Sequence, residues 1–383
     1  MNQQRRENQN RPLPNSAPLA RKLEGSVGMP FNWLENALSR VLVRPWCALL
    51  SHLDAVSYRL EGTLFREIVS YTLFPVTLII TLVIGFEMAE SGTSYRSAAG
   101  FILLLVVFGC IFAPMEHLFP WSRKWLDGGN DTAVDLMMYL SGVIWSILAQ
   151  FAVLILALPY LAKMIEPYGH QYWPDQLPGA VQVFLFILLK DFLRYWYHRG
   201  LHEIPFLWRF HKVHHSVERL YWLNGIRAHP VEIVGQAMFY AVPIALLQPG
   251  PEIVMVAVLM QLAIGIFQHS NIGLKLGFWE YIFSIGDNHR YHHYPSSVGD
   301  SNYGGEFIVW DILFGTFYKP RGEKPSDTIG ISHAPYYPLT WMGLMIAPFL
   351  SDQSVFSAER NPLPAQTDSS DQVEATNQSY SSG

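Results

Sequence analysis

The sequence predicts an all-α fold, a polytopic bundle of membrane helices, and three observations carry the prediction. Half of the 383 residues are hydrophobic and only 15% are charged, against about one quarter in a soluble domain. The apolar residues gather in runs long enough to cross a bilayer, at about twenty residues per helical span. No segment shows the alternation of a strand-rich domain. Mean hydropathy is +0.16.

In chain order, residues 1–20 are polar and rich in Gln, Asn, Arg and Pro, a composition expected to be disordered. Met29 to Leu60 places Trp33, Leu34, Leu38, Val41, Leu42, Trp46 and Leu49 among Arg and His residues. That suits a helix lying on the membrane surface, or one packed on a cytoplasmic domain. Leu73–Phe86, extended back through Tyr71, is the first expected span, Ala98–Met115 the second, Val134–Ala162 the third and Leu177–Leu193 the fourth. Val231–Leu247 and Pro251–Phe267 form an apolar hairpin broken at Gln248-Pro249-Gly250-Pro251, each limb only marginally long enough to cross. From about Asn361 the chain becomes a Ser, Gln, Asp and Thr mixture. The expected organisation is a polar N-terminus and interfacial helix over 1–61, a membrane-embedded domain over 62–335, and an interfacial segment with a disordered tail over 336–383.

Basic residues set the expected orientation. Arg5, Arg6, Arg11, Arg21 and Lys22 precede the first span, Arg123 and Lys124 separate the second from the third, and Arg194, Arg199, Arg209 and Lys212 follow the fourth. These segments are expected on the cytoplasmic side of a bacterial inner membrane or endoplasmic reticulum. The basic start lacks an apolar h-region, so no cleaved signal peptide is expected. Cys47 and Cys110 lie in or near apolar segments and read as packing residues. A net charge of -5 gives no case for nucleic-acid binding.

The chemistry lies in eight histidines in three clusters: His198 and His202 in HRGLH, His211, His214 and His215 in HKVHH, and His289, His292 and His293 in NHRYHH. On helices, spacings of three and four place each set on one face. Neutral imidazole suits zinc, iron, copper and nickel. Eight ligands exceed what a four-coordinate structural zinc site needs, which favours a dinuclear centre in a helical cap at the cytoplasmic face. His52, His117, His170 and His333 have no partner at ligand spacing and read as structural or surface residues.

The three clusters resemble the H-x3-H, H-x2-H-H and H-x2-H-H signature of the fatty acid hydroxylase superfamily, which includes sterol desaturases, sterol C4-methyl oxidases and alkylglycerol monooxygenase. Further likeness comes from Asp191-Phe-Leu-Arg-Tyr195 before His198, from WRFHKVHHS over 208–216, from Arg227-Ala-His-Pro-Val-Glu232, and from NYGGEFIVWDILFGTF over 302–317. It covers roughly residues 100–320. The resemblance implies two iron ions, O2 as co-substrate, and attack on an unactivated C–H bond of a lipid. Hydroxylation is the commoner outcome, with desaturation and ether cleavage also known. Zinc is a possible substitute for iron.

His269 ends the apolar hairpin at the cytoplasmic face, where a histidine can be a ligand in the family. His229 is a candidate ligand, an outer group paired with Glu232, or a structural hydrogen-bonder. Asp191, two turns before His198, is a candidate for holding a ligand imidazole in its tautomer, or for pairing with Arg194. Asn302, Trp310 and Asp311 match family positions and are expected to stabilise the fold. No His-Pro-Gly-Gly haem segment is present, so electrons are expected from a separate reductase, ferredoxin or cytochrome b5. Two readings of other classes stay open. A zinc-dependent membrane hydrolase or metal store would be indifferent to O2, and a non-catalytic lipid-binding protein would tolerate loss of His214.

Overall fold

In the computed structural model, residues 29–91, 109–126, 131–157, 159, 160, 163, 172–331 and 337–350 are described. Among them the regular structure is helical, with isolated bridges at Pro120–Ile272 and Phe283–Phe307. Helices α1 (Met29–Leu38) and α2 (Arg44–Leu60) are joined by a π turn over Ser39–Val43. α3 spans Leu64–Glu90, α4 residues 109–118, α5 Asp131–Ala152, α6 Gly179–Glu203 and α7 Pro205–His215. α8 (Pro230–Leu247) and α9 (Pro251–His269) form the hairpin, followed by α10 (Asp287–His292), α11 (Val309–Phe314) and α12 (Trp341–Ile346).

Local chemistry sets the boundaries. The Thr63 hydroxyl caps α3 by accepting the Arg66 N–H at 3.3 Å. Pro205, Pro230 and Pro251 each open a helix at a position whose N–H would lack a partner. Gln248 ends α8 in the left-handed conformation, at φ 51°, and so turns the chain into α9 as the Gln-Pro-Gly-Pro sequence requires.

Four described helices are long and apolar enough to cross a membrane: α3, α5, α8 and α9. The first and third expected spans are therefore present as α3 and α5, and both hairpin limbs qualify as full spans. The second expected span lies mostly outside the described residues. The fourth falls within α6, whose Lys190, Asp191 and Arg194 interrupt the apolar run. α9 is the central element, with Phe267 meeting Phe74 of α3 and Phe112 of α4 at ring-centroid distances of 5.1 and 4.9 Å. A side chain at Gly85 would come within 3.1 Å of Val256, so glycine there lets α3 approach α9. Ile79, Ile80, Val83, Ile144, Leu148, Phe151, Val234 and Met238 point outward. Such a shell is costly in water and favourable against lipid. Tyr337, Trp341 and the rest of the 337–350 segment pack on α5 and α7 below the bundle.

Candidate metal centre

Nine histidines converge in two buried groups. His198, His202, His211, His215 and His292 form group A, and His214, His269, His289 and His293 form group B. Within each group the candidate ligand nitrogens lie within 4.8 Å of one another. The helices explain the partition. Residues four apart share a face, so His198 with His202 and His211 with His215 enter group A, and His289 with His293 enters group B. Consecutive residues are about 100° apart around a helix, so His214-His215 and His292-His293 each send one ring to either group. The groups abut where His215 and His293 stack at 4.5 Å between centroids.

Outer partners orient these rings. In group A, Nδ1 of His198 lies 2.8 Å from Tyr303 O, Nδ1 of His292 2.8 Å from Ser301 O, Nδ1 of His202 3.2 Å from an Asp300 carboxylate oxygen, and Nδ1 of His211 3.0 Å from a Glu232 carboxylate oxygen. In group B, Nδ1 of His214 lies 3.1 Å from Arg227 O and Nδ1 of His269 2.9 Å from Asn224 Oδ1. All six partners are acceptors, so each of these Nδ1 atoms carries the proton and each Nε2 is left with a lone pair facing inward.

The donor chemistry then fits cations. Nε2 of His198 and Nε2 of His211 are 3.0 Å apart, and both present lone pairs, which cannot hydrogen-bond to each other. In group B, Nε2 of His269 lies 3.0 Å from Nε2 of His289, which lies 3.2 Å from that of His293, while the buried Nδ1 atoms of His289 and His293 find no hydrogen-bond partner among the described residues. The buried Nε2 atoms of His215 and His292 find no hydrogen-bond partner. Burial holds His211, His214 and His292 down at about 3, and it lowers His198, His215, His289 and His293 well below the ordinary histidine value. They are neutral at physiological pH, the form in which imidazole binds metals.

His269 joins group B, and Glu232 supports His211 rather than pairing with His229. His229 lies outside both groups: its Nδ1 caps α8 by accepting the Val231 N–H at 3.2 Å, and its Nε2 lies 3.2 Å from Met345 O. Asp191 reaches no imidazole. Its carboxylate accepts the N–H groups of Gly305, Glu306 and Phe307 at 2.9, 2.8 and 2.8 Å, while Arg194 is directed to Glu306 at 3.0 Å. The local expectation fails because a fully buried carboxylate beside the NYGGEF turn meets three unpartnered backbone donors there. Asp311 clamps the same turn through the N–H groups of Tyr303 and Gly304, each at 2.7 Å, and Asn302, at φ 55°, binds Asn288 O and Tyr318. These two stabilise the fold as expected. His117 is structural too, 2.8 Å from Asp54, and His52 is on the surface. His170 and His333 lie outside the described residues.

Asn224, Arg227, Asp300, Ser301 and Tyr303 were not singled out from sequence as supports. Arg227 stood in a recognised motif, and its guanidinium joins Asp135 at 2.6 Å and Ser216 at 2.8 Å while its carbonyl holds His214. A cavity of about 20 Å³, room for one water-sized molecule, touches His202, His215 and His292 from the side of Trp208 and Asp300.

Spanning helices closed by two adjoining all-histidine groups define a membrane protein with a candidate dinuclear metal centre. The fatty acid hydroxylase family model matches residues 183–316, which include every residue of both groups. The chain is 34% identical over 227 residues to the ornithine lipid hydroxylase of Rhizobium tropici, covering 58% of this chain and 68% of that one. It is also 34% identical over 280 residues to the alkylglycerol monooxygenase of Danio rerio (67% of this chain, 57% of the relative), and 33% over 144 residues to that of Homo sapiens (37% and 31%). The chain belongs to the fatty acid hydroxylase family. No solved structure matches it.

Proposed function

We propose that this protein is a membrane-bound di-iron monooxygenase that hydroxylates a C–H bond of a lipid. The observation that carries the reading is the partition of nine buried imidazoles into two adjoining groups, six of them held by acceptors at Nδ1 so that Nε2 keeps its lone pair. His198, His202, His211, His215 and His292 would hold one iron, and His214, His269, His289 and His293 the other. Iron held by these residues would supply the chemistry of reductive O2 activation.

The overall balance inserts one oxygen atom into the C–H bond and releases the other as water, consuming two electrons and two protons from a separate donor. The chain's own residues have three tasks. Glu232, Asp300 and Asn224 fix ring orientation through side chains, and Tyr303, Ser301 and Arg227 through carbonyls. The apolar bundle excludes water from the reaction. The small cavity beside His202, His215 and His292 leaves space next to group A for one small molecule. The basic segments around Arg123 and Arg199 support a cytoplasmic position for this end of the bundle. The hydroxylase and monooxygenase names of the relatives support hydroxylation over zinc hydrolysis.

The test is lipid mass spectrometry of cells expressing the wild type or His214→Ala under 18O2, with a competent electron donor. A lipid gaining one heavy oxygen with the wild type alone is expected. A product lacking two hydrogens and bearing no label would replace hydroxylation by desaturation, and an O2-independent product would replace iron by zinc.

A further inference from the structure

A second cavity, of about 300 Å³, lies apart from both histidine groups. One wall is Leu42, Val43, Trp46, Cys47 and Leu50 of the π turn and α2, and the others come from Ala113 of α4, Leu136 of α5 and the Tyr221–Leu223 turn. Polar groups at its margin are committed within the protein. Glu116 accepts the N–H groups of Trp222 and Asn271 at 2.7 and 2.9 Å, His117 meets Asp54 at 2.8 Å, and Arg219 binds Asp131 at 3.0 Å and Trp125 O at 2.9 Å. Among the described residues the cavity thus presents a mainly apolar lining whose charged groups are held by partners within the protein. A space of this size and lining takes an apolar ligand and not water. Leu42 and Trp46 also line it while 53% and 38% exposed, and they join Val41 and Leu49 in an exposed apolar face. Its mouth is therefore continuous with a surface that suits lipid.

Two lining segments nevertheless connect the cavity to group B. The turn that forms its floor carries Asn224, whose Oδ1 accepts from His269, and Asn271, two residues beyond His269, closes the same floor. We propose that this cavity receives one alkyl chain of the lipid substrate, and that the π turn and α2, outside the family-matched residues, thereby set the accepted chain length. This rests on the lipid-oxidising reading above. A chain seated here lies against the turn that supports group B, and the volume of about 300 Å³ limits the chain it accepts.

The experiment uses the full-length, metal-loaded protein in nanodiscs and a palmitate analogue with a terminal diazirine as photoprobe, the labelled peptides being located by mass spectrometry. Labelling is expected within residues 42–50 and 221–223. It should fall by about tenfold in Ala113→Phe and, from the facing wall, in Cys47→Phe, because each side chain overfills the cavity. Metal content, measured alongside, is expected to stay at the wild-type value. Labelling confined to the outer faces of α3, α5 and α8, or undiminished in both variants, overturns the proposal. The same variants in the 18O2 assay are expected to favour shorter chains. Wild-type label incorporation with an unchanged chain-length profile refutes the cavity alone, whereas cavity labelling without any 18O product refutes the oxygenase reading and leaves an apolar-ligand site.

Discussion

Replacing Asp300 by alanine separates the two metal groups. Its carboxylate lies 3.2 Å from Nδ1 of His202, a member of group A. A hydrogen bond to a charged group contributes about 1.5–3 kcal/mol. The carboxylate is 27% exposed, so solvent screening places the loss in the lower part of that range, about 1.5–2 kcal/mol. That corresponds to a weakening of metal affinity of about 10–30-fold, within the range typical of outer-sphere partners of a ligand histidine. The assay is metal retention against a graded series of chelator concentrations, read by elemental analysis. Asp300→Ala should release one equivalent per chain at a lower chelator concentration than the wild type while the second is held normally. Asp300→Asn, which keeps an oxygen acceptor, should fall between them. A variant that retains both equivalents like the wild type, or loses both together, would refute the assignment of His202 to a site distinct from group B.

Glu232→Ala should weaken group A by about 10–100-fold, while Glu232→Gln, which still offers an oxygen to His211, should lose far less; equal effects in the chelator series would show that Glu232 acts otherwise. Gly305→Ala places a Cβ 2.3 Å from Arg194 Cδ and 2.7 Å from the Asp191 carboxylate. The overlap should cost about 1–3 kcal/mol in unfolding measurements in detergent, and an unchanged midpoint would contradict the packing of that turn. Metal-stripped protein should lose stability on acidification. Burial keeps His211, His214 and His292 at about 3 in the folded state, whereas the unfolded chain takes up protons near the ordinary value of about 6.5. Stability is therefore flat above that ordinary value and falls as pH drops from there toward 3. Unfolding midpoints that rise across this window would reverse the sign.

The sequence displayed the ligands better than their supports. Histidines at three- and four-residue spacings are visible because a helix converts local spacing into a shared face, and the hairpin's return brings His269 to the same end of the bundle. Even the split of His214 from His215 is implicit in the rotation per residue. Asp191 was misread because only partners within a turn or two can be inferred from spacing, and its partners are Gly305, Glu306 and Phe307, far along the chain. Hydropathy likewise reveals α3 and α5. It overvalues the α6 run, where Lys190, Asp191 and Arg194 face protein partners, and undervalues the hairpin limbs, both of which form helices long and apolar enough to cross a membrane.

The supports of group A concentrate in one short stretch: Asp300, Ser301 and Tyr303 hold three of its five imidazoles. Two of the three use backbone carbonyls, which no side-chain substitution removes. What the side chains of this region control is the path of the backbone. Asn302 takes the left-handed conformation, Asp311 fixes the N–H groups of Tyr303 and Gly304, and Asp191 fixes the next three. Gly304 and Gly305 permit an approach that a Cβ would block, at 2.2 Å from Phe307 O for Gly304. The stretch from Ser301 to Phe307 thus carries none of the proposed ligands yet positions His198 and His292, one from each of two helices. The buried carboxylates of Asp191 and Asp311 act on the candidate metal centre at one remove, by holding a turn whose carbonyls hold the rings.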